Sequence, residues 1–541
     1  MILKDYQKER LTDLLRLIDQ PKATGLLVIT LPEDANLRQQ TDQKEFLGEL
    51  EAFYSTRDIT IEEFSIASLQ SMWDDRYYDI ILLRYVLWKQ RNSAMDPGRV
   101  LRLLARHLTP GGRIIILENN GMGIRSLTGD RYDGLEKASG MRRREVLDAV
   151  SFAGLYASFY YPHPYAEDME YLFSDERLPQ GERLCISVRE GEPRIEFYPE
   201  EELAAGVVSE GLFPSMAAQF FCIATKDKIR QALLYKHYVT HRDKRFVLTK
   251  SLYSTNSGRA SFVYEPSSDV AGAFIKSIFD NYQKLVDTYK GYTLQITPCS
   301  YDDGKVIALV PDGVSFEELL DKTLRDEDKD GFLQLIRRLS DILTAPTRLD
   351  EAARGGVRFS DEPRFIRAFG EFFGSEEELF ADEPALPVSP LEGAFSDFKV
   401  SEKNWTLMPC VWTVDFPVPF SYILYRLLRK YFSEGAWRDP GQVMEQAAWQ
   451  YLSISDGMIR VFERMYEHFI SFSTGRAMTM ERIRTRAIAE GEFLPVGEVA
   501  AAFLDGKGVL PASVAEEYEN VDTGFLDKVK QLMARMFRDW E

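Results

Sequence analysis

Any chemistry this chain performs must come from a few polar residues at the ends of apolar runs. Arg84 and Tyr85 follow Tyr78-Asp79-Ile80-Ile81-Leu82-Leu83, and Glu118-Asn119-Asn120-Gly121 follows Arg113-Ile114-Ile115-Ile116-Leu117. Glu33 and Asp34 follow the run from Gly25 to Leu31. Two acids there could hold a ligand's ammonium group or cap the next helix, and capping carries more weight because acids favour a first helical turn. His163 stands between two prolines with Tyr161 nearby. Imidazole titrates in the range a proton acceptor needs, although a single histidine in such a loop more often serves structure.

These residues need a frame. The run 78–84 suits a strand buried on both faces. Residues 97–108 show helical spacing of leucines, Thr109-Pro110-Gly111-Gly112 breaks the chain, and 113–119 is a second buried strand. Strand, crossover helix and parallel strand make a right-handed βαβ unit. In open sheets of this kind ligands lie beyond the carboxyl ends of the strands, which here carry Arg84, Glu118 and Asn119. Upstream, 6–18 reads as a helix, Gly25 to Leu31 as the first strand, 37–53 as a helix and 59–66 as a strand. Downstream come a helix opened by Arg142-Arg143-Arg144, a strand over 155–161, a loop over 161–165 held by its prolines, and a last strand near 220–224.

The pattern of aspartate, apolar run, helix, Leu-x-Pro-Gly-Gly and apolar run resembles class I S-adenosylmethionine-dependent methyltransferases. With Gly129-Asp130-Arg131-Tyr132-Asp133-Gly134, Phe159-Tyr160-Tyr161-Pro162-His163-Pro164-Tyr165 and Phe173-Ser174-Asp175-Glu176-Arg177-Leu178-Pro179, it is similar to a bacterial group associated with cell-surface polysaccharide synthesis. The resemblance implies an α/β Rossmann-like domain with a doubly wound sheet and S-adenosylmethionine as cofactor. It sets Tyr161, His163 and Asp175 on the substrate side and Glu33, Asp34, Glu63, Arg84, Glu118 and Asn119 as candidate cofactor contacts. Two departures argue against cofactor binding. The turn Leu31-Pro32-Glu33-Asp34-Ala35-Asn36 has none of the glycines that let backbone approach a ligand. Only one strand fits between the first strand and Asp79, where a complete sheet has two, so the sheet reads as one strand short. Glu62 or Glu63 could be the ribose-binding acid, though both lie within that strand; whether it is the second or the third strand stays open.

The second half, from about residue 227, has a hairpin over 246–266, a helix over 271–289, further strands, the segment 306–314 and another helix. This order resembles the small lobe and hinge of a kinase-like fold. Phosphoryl transfer needs a lysine, a catalytic aspartate, and an asparagine and an aspartate for magnesium. By resemblance the lysine position is Tyr264, Glu392 and Asp397 stand where the catalytic loop falls, and Pro409 and Val411 replace the metal-binding aspartate and a glutamate. Proline carries neither charge nor amide hydrogen, so no metal is expected. The domain reading is 1–226 methyltransferase-like, 227–475 kinase-like with large-lobe helices from 420 to 472, and 476–541 a helical tail ending in an amphipathic helix over 525–540.

Composition fits a globular protein: of 541 residues, 45% are apolar, 12% aromatic and 28% charged. A net charge of −19 argues against a nucleic-acid footprint or an anionic membrane surface. Cys185, Cys222, Cys299 and Cys410 form no C-x-x-C pair, so neither zinc nor a disulfide framework is indicated. No signal peptide or membrane span is expected, and the cytoplasm is the expected compartment. Three readings remain: a degenerate enzyme acting as scaffold or regulator beside other surface-glycan proteins, an active methyltransferase with an atypical loop, and a glycan kinase with relocated ligands. Erosion at both sites favours the first.

Overall fold

The computed structural model describes residues 14–17, 22–30, 37–71, 75–124, 140–166, 169–180, 182, 184, 194–196, 200–254, 258–348, 358–391, 393–401, 404–433, 438, 443–475 and 493–495. They divide into two compact units, the first taking the described residues up to Tyr235 together with 493–495, the second those from Lys236 to Gly475. The glycine-containing segment 129–134 and the amphipathic run 525–540 lie outside the described residues.

The first unit is built on parallel strands β1 (Gly25–Thr30), β2 (Thr60–Ser65), β3 (Tyr78–Arg84) and β4 (Leu108–Asn119) in the order β2-β1-β3-β4. Ile80, Ile81 and Leu83 of β3 and Ile114, Ile115 and Ile116 of β4 are all at 0% exposure, which is why these stretches lack polar alternation. Helix α1 (Leu37–Tyr54) joins β1 to β2. Helix α2 (Pro97–Arg106) joins β3 to β4; Asp96 caps it by accepting from Arg99 N, and Pro97 takes the first helical position, where a missing N–H is harmless.

Two expectations are refined. The break at residues 109–112 is a bulge inside β4: Tyr78 pairs with Leu108, then Ile80 pairs with Arg113, and the intervening residues loop out with Gly111 at φ +86°. The strand between β1 and β3 in sequence sits directly beside β1, Val28 opposite Glu63. It therefore holds the second-strand position, and a third strand flanking it is what the sheet lacks among the described residues.

After helix α3 (Arg143–Phe152) come β5 (Tyr156–His163), β6 (Tyr171–Ser174), the short β7 (Arg194–Glu196), paired in parallel with Phe493–Pro495, and β8 (Gln219–Thr225). Strand β8 inserts antiparallel between β4 and β5, and β6 pairs with the far side of β5. Residues 161 to 163 are thus strand and not the expected loop. Pro162 is tolerated because the β8 ladder ends at Tyr160 opposite Phe221, so its missing N–H breaks no bond on that side.

In the second unit β10 (Leu248–Ser254), β11 (Ala260–Pro266), β13 (Cys299–Asp302) and β14 (Lys305–Leu309) form an antiparallel sheet in the order β10-β11-β14-β13; β9 (Leu233–Val239) precedes it in the chain and β12 (Leu294–Ile296) pairs in parallel with Trp405–Leu407. Helix Gly272–Thr288 buries Ile275, Ile278, Tyr282 and Leu285. The helices Phe316–Arg325, Lys329–Leu343, Phe420–Ser433 and Asp456–Thr474 close around an aromatic core that includes Phe316, Phe332, Tyr425 and Phe462.

Asp79 ties the amino ends of three strands together. Its Oδ2 accepts from Thr24 N at 2.8 Å and Gly25 N at 3.3 Å, and its Oδ1 accepts from the Thr109 hydroxyl at 2.8 Å. Burial pushes this carboxyl up, but those donors outweigh it and hold it below the ordinary range. Asp79→Ala is expected to lower the unfolding free energy by roughly 2–4 kcal/mol, as charge-assisted hydrogen bonds do. Because the folded pKa is depressed, the contribution is present at neutral pH and lost as acid protonates the group. Urea titrations at neutral and acid pH check both: the gap between parent and variant narrows in acid.

Candidate functional site

The crossover from β1 to β2 runs one way and that leading to β3 and β4 the other, so the switch point lies at the carboxyl ends of β1 and β3. Glu33 and Asp34, which follow β1, lie outside the described residues. At the end of β3 the half-buried Arg84 guanidinium rests between the rings of Phe46 on α1 and Tyr85, 4.9 Å from each centroid. Tyr85 adopts φ +54°, a left-handed conformation rare for a bulky residue, and its amide donates to Leu117 O at 2.8 Å. The Trp88 indole donates back to Tyr85 O at 3.1 Å.

One residue without a sequence signal joins this edge together. Gln219 opens β8, fully buried; its Oε1 accepts from Ala166 N at 2.7 Å, and its Nε2 donates to Tyr85 Oη at 3.0 Å and Asn119 Oδ1 at 2.9 Å. The only hint was a lone amide before the apolar run 220–224. Asn120 is likewise occupied, with Nδ2 donating to Ser215 O and Ala217 O.

Glu118 is buried at the end of β4. Its Oε1 accepts from Leu87 N at 2.6 Å and Trp88 N at 3.3 Å, while Oε2 has no hydrogen-bond partner. Burial pushes its pKa up to about 8 against the opposing backbone amides and Arg91, which favours the protonated form well above the ordinary carboxyl range. Glu63 is exposed in the middle of β2, whereas Glu62 accepts from Arg76 at 2.6 Å and from Tyr78 Oη at 2.9 Å. β2 ends in Ser65, so no acid stands at its carboxyl end.

Strand β5 is parallel to β4, so His163 reaches the same edge of the sheet. Its ring lies 6.4 Å from that of Tyr171. Tyr161 and Asp175 are brought together: the tyrosine hydroxyl donates to Asp175 Oδ1 at 2.6 Å, and Arg143 donates to both groups. Asp175 Oδ2 accepts from Phe159 N at 3.0 Å. Burial and the carboxylate keep the Tyr161 proton in place, so this trio clamps α3 to β5 and offers no base. The described residues of this edge thus bond chiefly to one another, and no acid stands at the described end of β2.

In the second unit the positions of the expected lysine and metal-binding acid meet. Tyr264, at 1% exposure, donates its hydroxyl to Pro409 O at 3.2 Å, and Val411 packs on the same apolar cluster. Glu392 lies outside the described residues. Asp397 accepts from Ala394 N at 2.8 Å and closes its own turn. Asp415 is held by Lys284 and Arg364, each at 2.9 Å. These residues do not fit magnesium and a nucleotide phosphate; among the described residues no cluster of metal-ligating side chains exists.

No family profile matches the chain, and no curated protein matches it. Solved structures to which it is similar include a SAM-dependent methyltransferase from Archaeoglobus fulgidus, at 12% identity and a TM-score of 0.22, spanning 41% of this chain and 94% of that one. They also include the gentamicin complex of APH(2")-IIa, at 12% identity and a TM-score of 0.24, spanning 43% of this chain and 92% of that one. A macrolide 2'-phosphotransferase type I follows at 8% identity and a TM-score of 0.20, spanning 43% and 88%. Likenesses this slight decide no activity. The strand order carries the fold: a mixed α/β sheet in the first unit, an α+β arrangement in the second. No helix among the described residues is long and apolar enough to cross a membrane.

The raised pKa of Glu118 predicts a stability signature. The folded form keeps its proton to about pH 8 whereas a free carboxyl releases it near 4.5, so this residue's contribution falls as pH rises through that window. Glu118→Gln, neutral at every pH, is expected to match the parent near pH 5 and exceed it by a few kcal/mol at pH 8, each pKa unit being worth about 1.4 kcal/mol. Thermal melts across that range check it.

Proposed function

We propose that this chain is a catalytically degenerate protein of bacterial cell-surface polysaccharide synthesis, a methyltransferase-like unit followed by a kinase-like pseudokinase unit. It acts in the cytoplasm as a scaffold or regulator for other proteins of that assembly. The hydrogen bond from Tyr264 to the Pro409 carbonyl carries this reading. A phosphotransferase needs a cation and a metal-binding carboxylate at these two places, and here a buried phenol and a proline satisfy one another instead.

The first unit supports the same reading. A parallel sheet with one antiparallel strand threaded between its fourth and fifth is the arrangement expected of a class I methyltransferase, and the motif order of the sequence agrees. Yet Gln219, Tyr85 and Asn119 use their polar groups on each other, and Glu118 is sealed from solvent. The polysaccharide context rests on the sequence motifs alone.

The test is a thermal-shift series on the full chain with millimolar S-adenosylmethionine, S-adenosylhomocysteine and ATP with magnesium. A ligand at ~100 times its dissociation constant stabilises by about 2.7 kcal/mol. The expected result is an unmoved Tm in all three. A rise with the adenosyl ligands would restore an active methyltransferase, and a rise with magnesium ATP would restore a kinase.

A further inference from the structure

Two arginines of the second unit, Arg426 and Arg429, share one aromatic ring. Arg143, Arg177, Arg364, Arg438 and Arg464 each pair with a carboxylate. Others are held without an acid, Arg337 by the Tyr451 carbonyl and Arg338 over the Trp405 ring. Arg426 and Arg429, half-buried and one turn apart on Phe420–Ser433, make no ion pair among the described residues. Their polar contacts are with phenols: Arg426 donates to Tyr422 Oη at 3.4 Å and Arg429 donates to Tyr425 Oη. A guanidinium carries several N–H donors in a rigid fork, so most of each fork is unused.

The two groups converge. Both guanidinium carbons lie over the ring of Tyr466, at 5.3 Å and 4.9 Å from its centroid, and Arg426 also lies 4.7 Å from that of Phe469. The rings of Tyr422 and Tyr425 stack on each other with centroids 6.3 Å apart. Glu463 is the nearby acid that influences Arg429, but it is exposed and forms no ion pair with it. Each cation is attracted to the ring while the two repel one another, so an anion shared by both forks would be favoured, and the aromatic packing restrains both forks before any ligand arrives.

We propose that Arg426 and Arg429, with the hydroxyls of Tyr422 and Tyr425 and the ring of Tyr466 beneath, bind the phosphate group of a small phosphate monoester. A carboxylate is satisfied by one bidentate fork, whereas a phosphate offers enough oxygens to engage two forks from different directions. The site lies on helices Phe420–Ser433 and Asp456–Thr474, which carry none of the residues that kinase resemblance assigns to phosphoryl transfer. It stands independently of whether the chain catalyses anything.

Isothermal titration of the full chain with inorganic phosphate, glucose 1-phosphate and glucuronate tests this. Saturable binding of a phosphate, and at least tenfold weaker binding of glucuronate, is expected. Tighter binding of glucose 1-phosphate than of inorganic phosphate identifies a sugar ester as the source; equal affinity identifies the free anion. Arg426→Gln with Arg429→Gln should weaken phosphate binding at least tenfold without moving the Tm of the free protein. Should that variant unfold, Arg426→Lys with Arg429→Lys decides, because lysine keeps charge and stem packing but loses the fork; affinity equal to the parent's overturns the proposal. No phosphate binding by the parent, or glucuronate binding as tightly as phosphate, overturns it too.

Discussion

A polar group taken out of water must find a partner inside the protein or stay available for a ligand. At both candidate sites of this chain the partner is internal. Gln219 spends its amide on Ala166, Tyr85 and Asn119, and Tyr264 spends its hydroxyl on Pro409. A binding site works the other way round, holding donors and acceptors in place while leaving them unpaired until the ligand arrives. The described residues of these two edges are stabilised as interiors are, by groups that satisfy one another.

Glu118 shows the same constraint from the other side. One oxygen takes two backbone amides while the other has no partner, and burial raises the pKa until the proton stays. Neutrality replaces pairing. Asp79, at the opposite ends of the same strands, has enough amide and hydroxyl donors to remain charged despite partial burial. Two carboxyls on adjacent strands thus reach opposite charge states because one collects enough donors and the other is sealed away from water.

Architecture and chemistry separate in this molecule. The parallel core β2-β1-β3-β4 keeps its apolar register without a further strand beside β2, since each central strand remains covered by its neighbours. The second unit keeps a sheet and a packed helix while its polar centre is filled by Tyr264, Val411 and aliphatic side chains. Hydrophobic burial needs only shape and apolar area, whereas catalysis needs particular charges at particular places. The arginine pair beside Tyr466 differs, two cations held over one ring by aromatic packing and phenol hydroxyls.

Local pattern in the chain was sufficient for the strands β1, β3, β4 and β8 and for the helices between them, because continuous apolar runs and capping residues act over a few neighbours. The resemblance to a kinase-like fold is what set Tyr264 and Pro409 at the lysine and metal-ligand positions, where neither residue supplies the charge expected. Tertiary structure decided the rest. That 60–65 lies beside β1, that 161–163 is strand, that Tyr161 and Asp175 are tied by Arg143, and that Gln219 spans two strand ends all depend on pairing between distant segments. Tyr264 and Pro409 are 145 residues apart in the chain, and only folding turns two separate substitutions into one hydrogen bond. Periodicity encodes which face is buried; it does not encode which buried group will meet which.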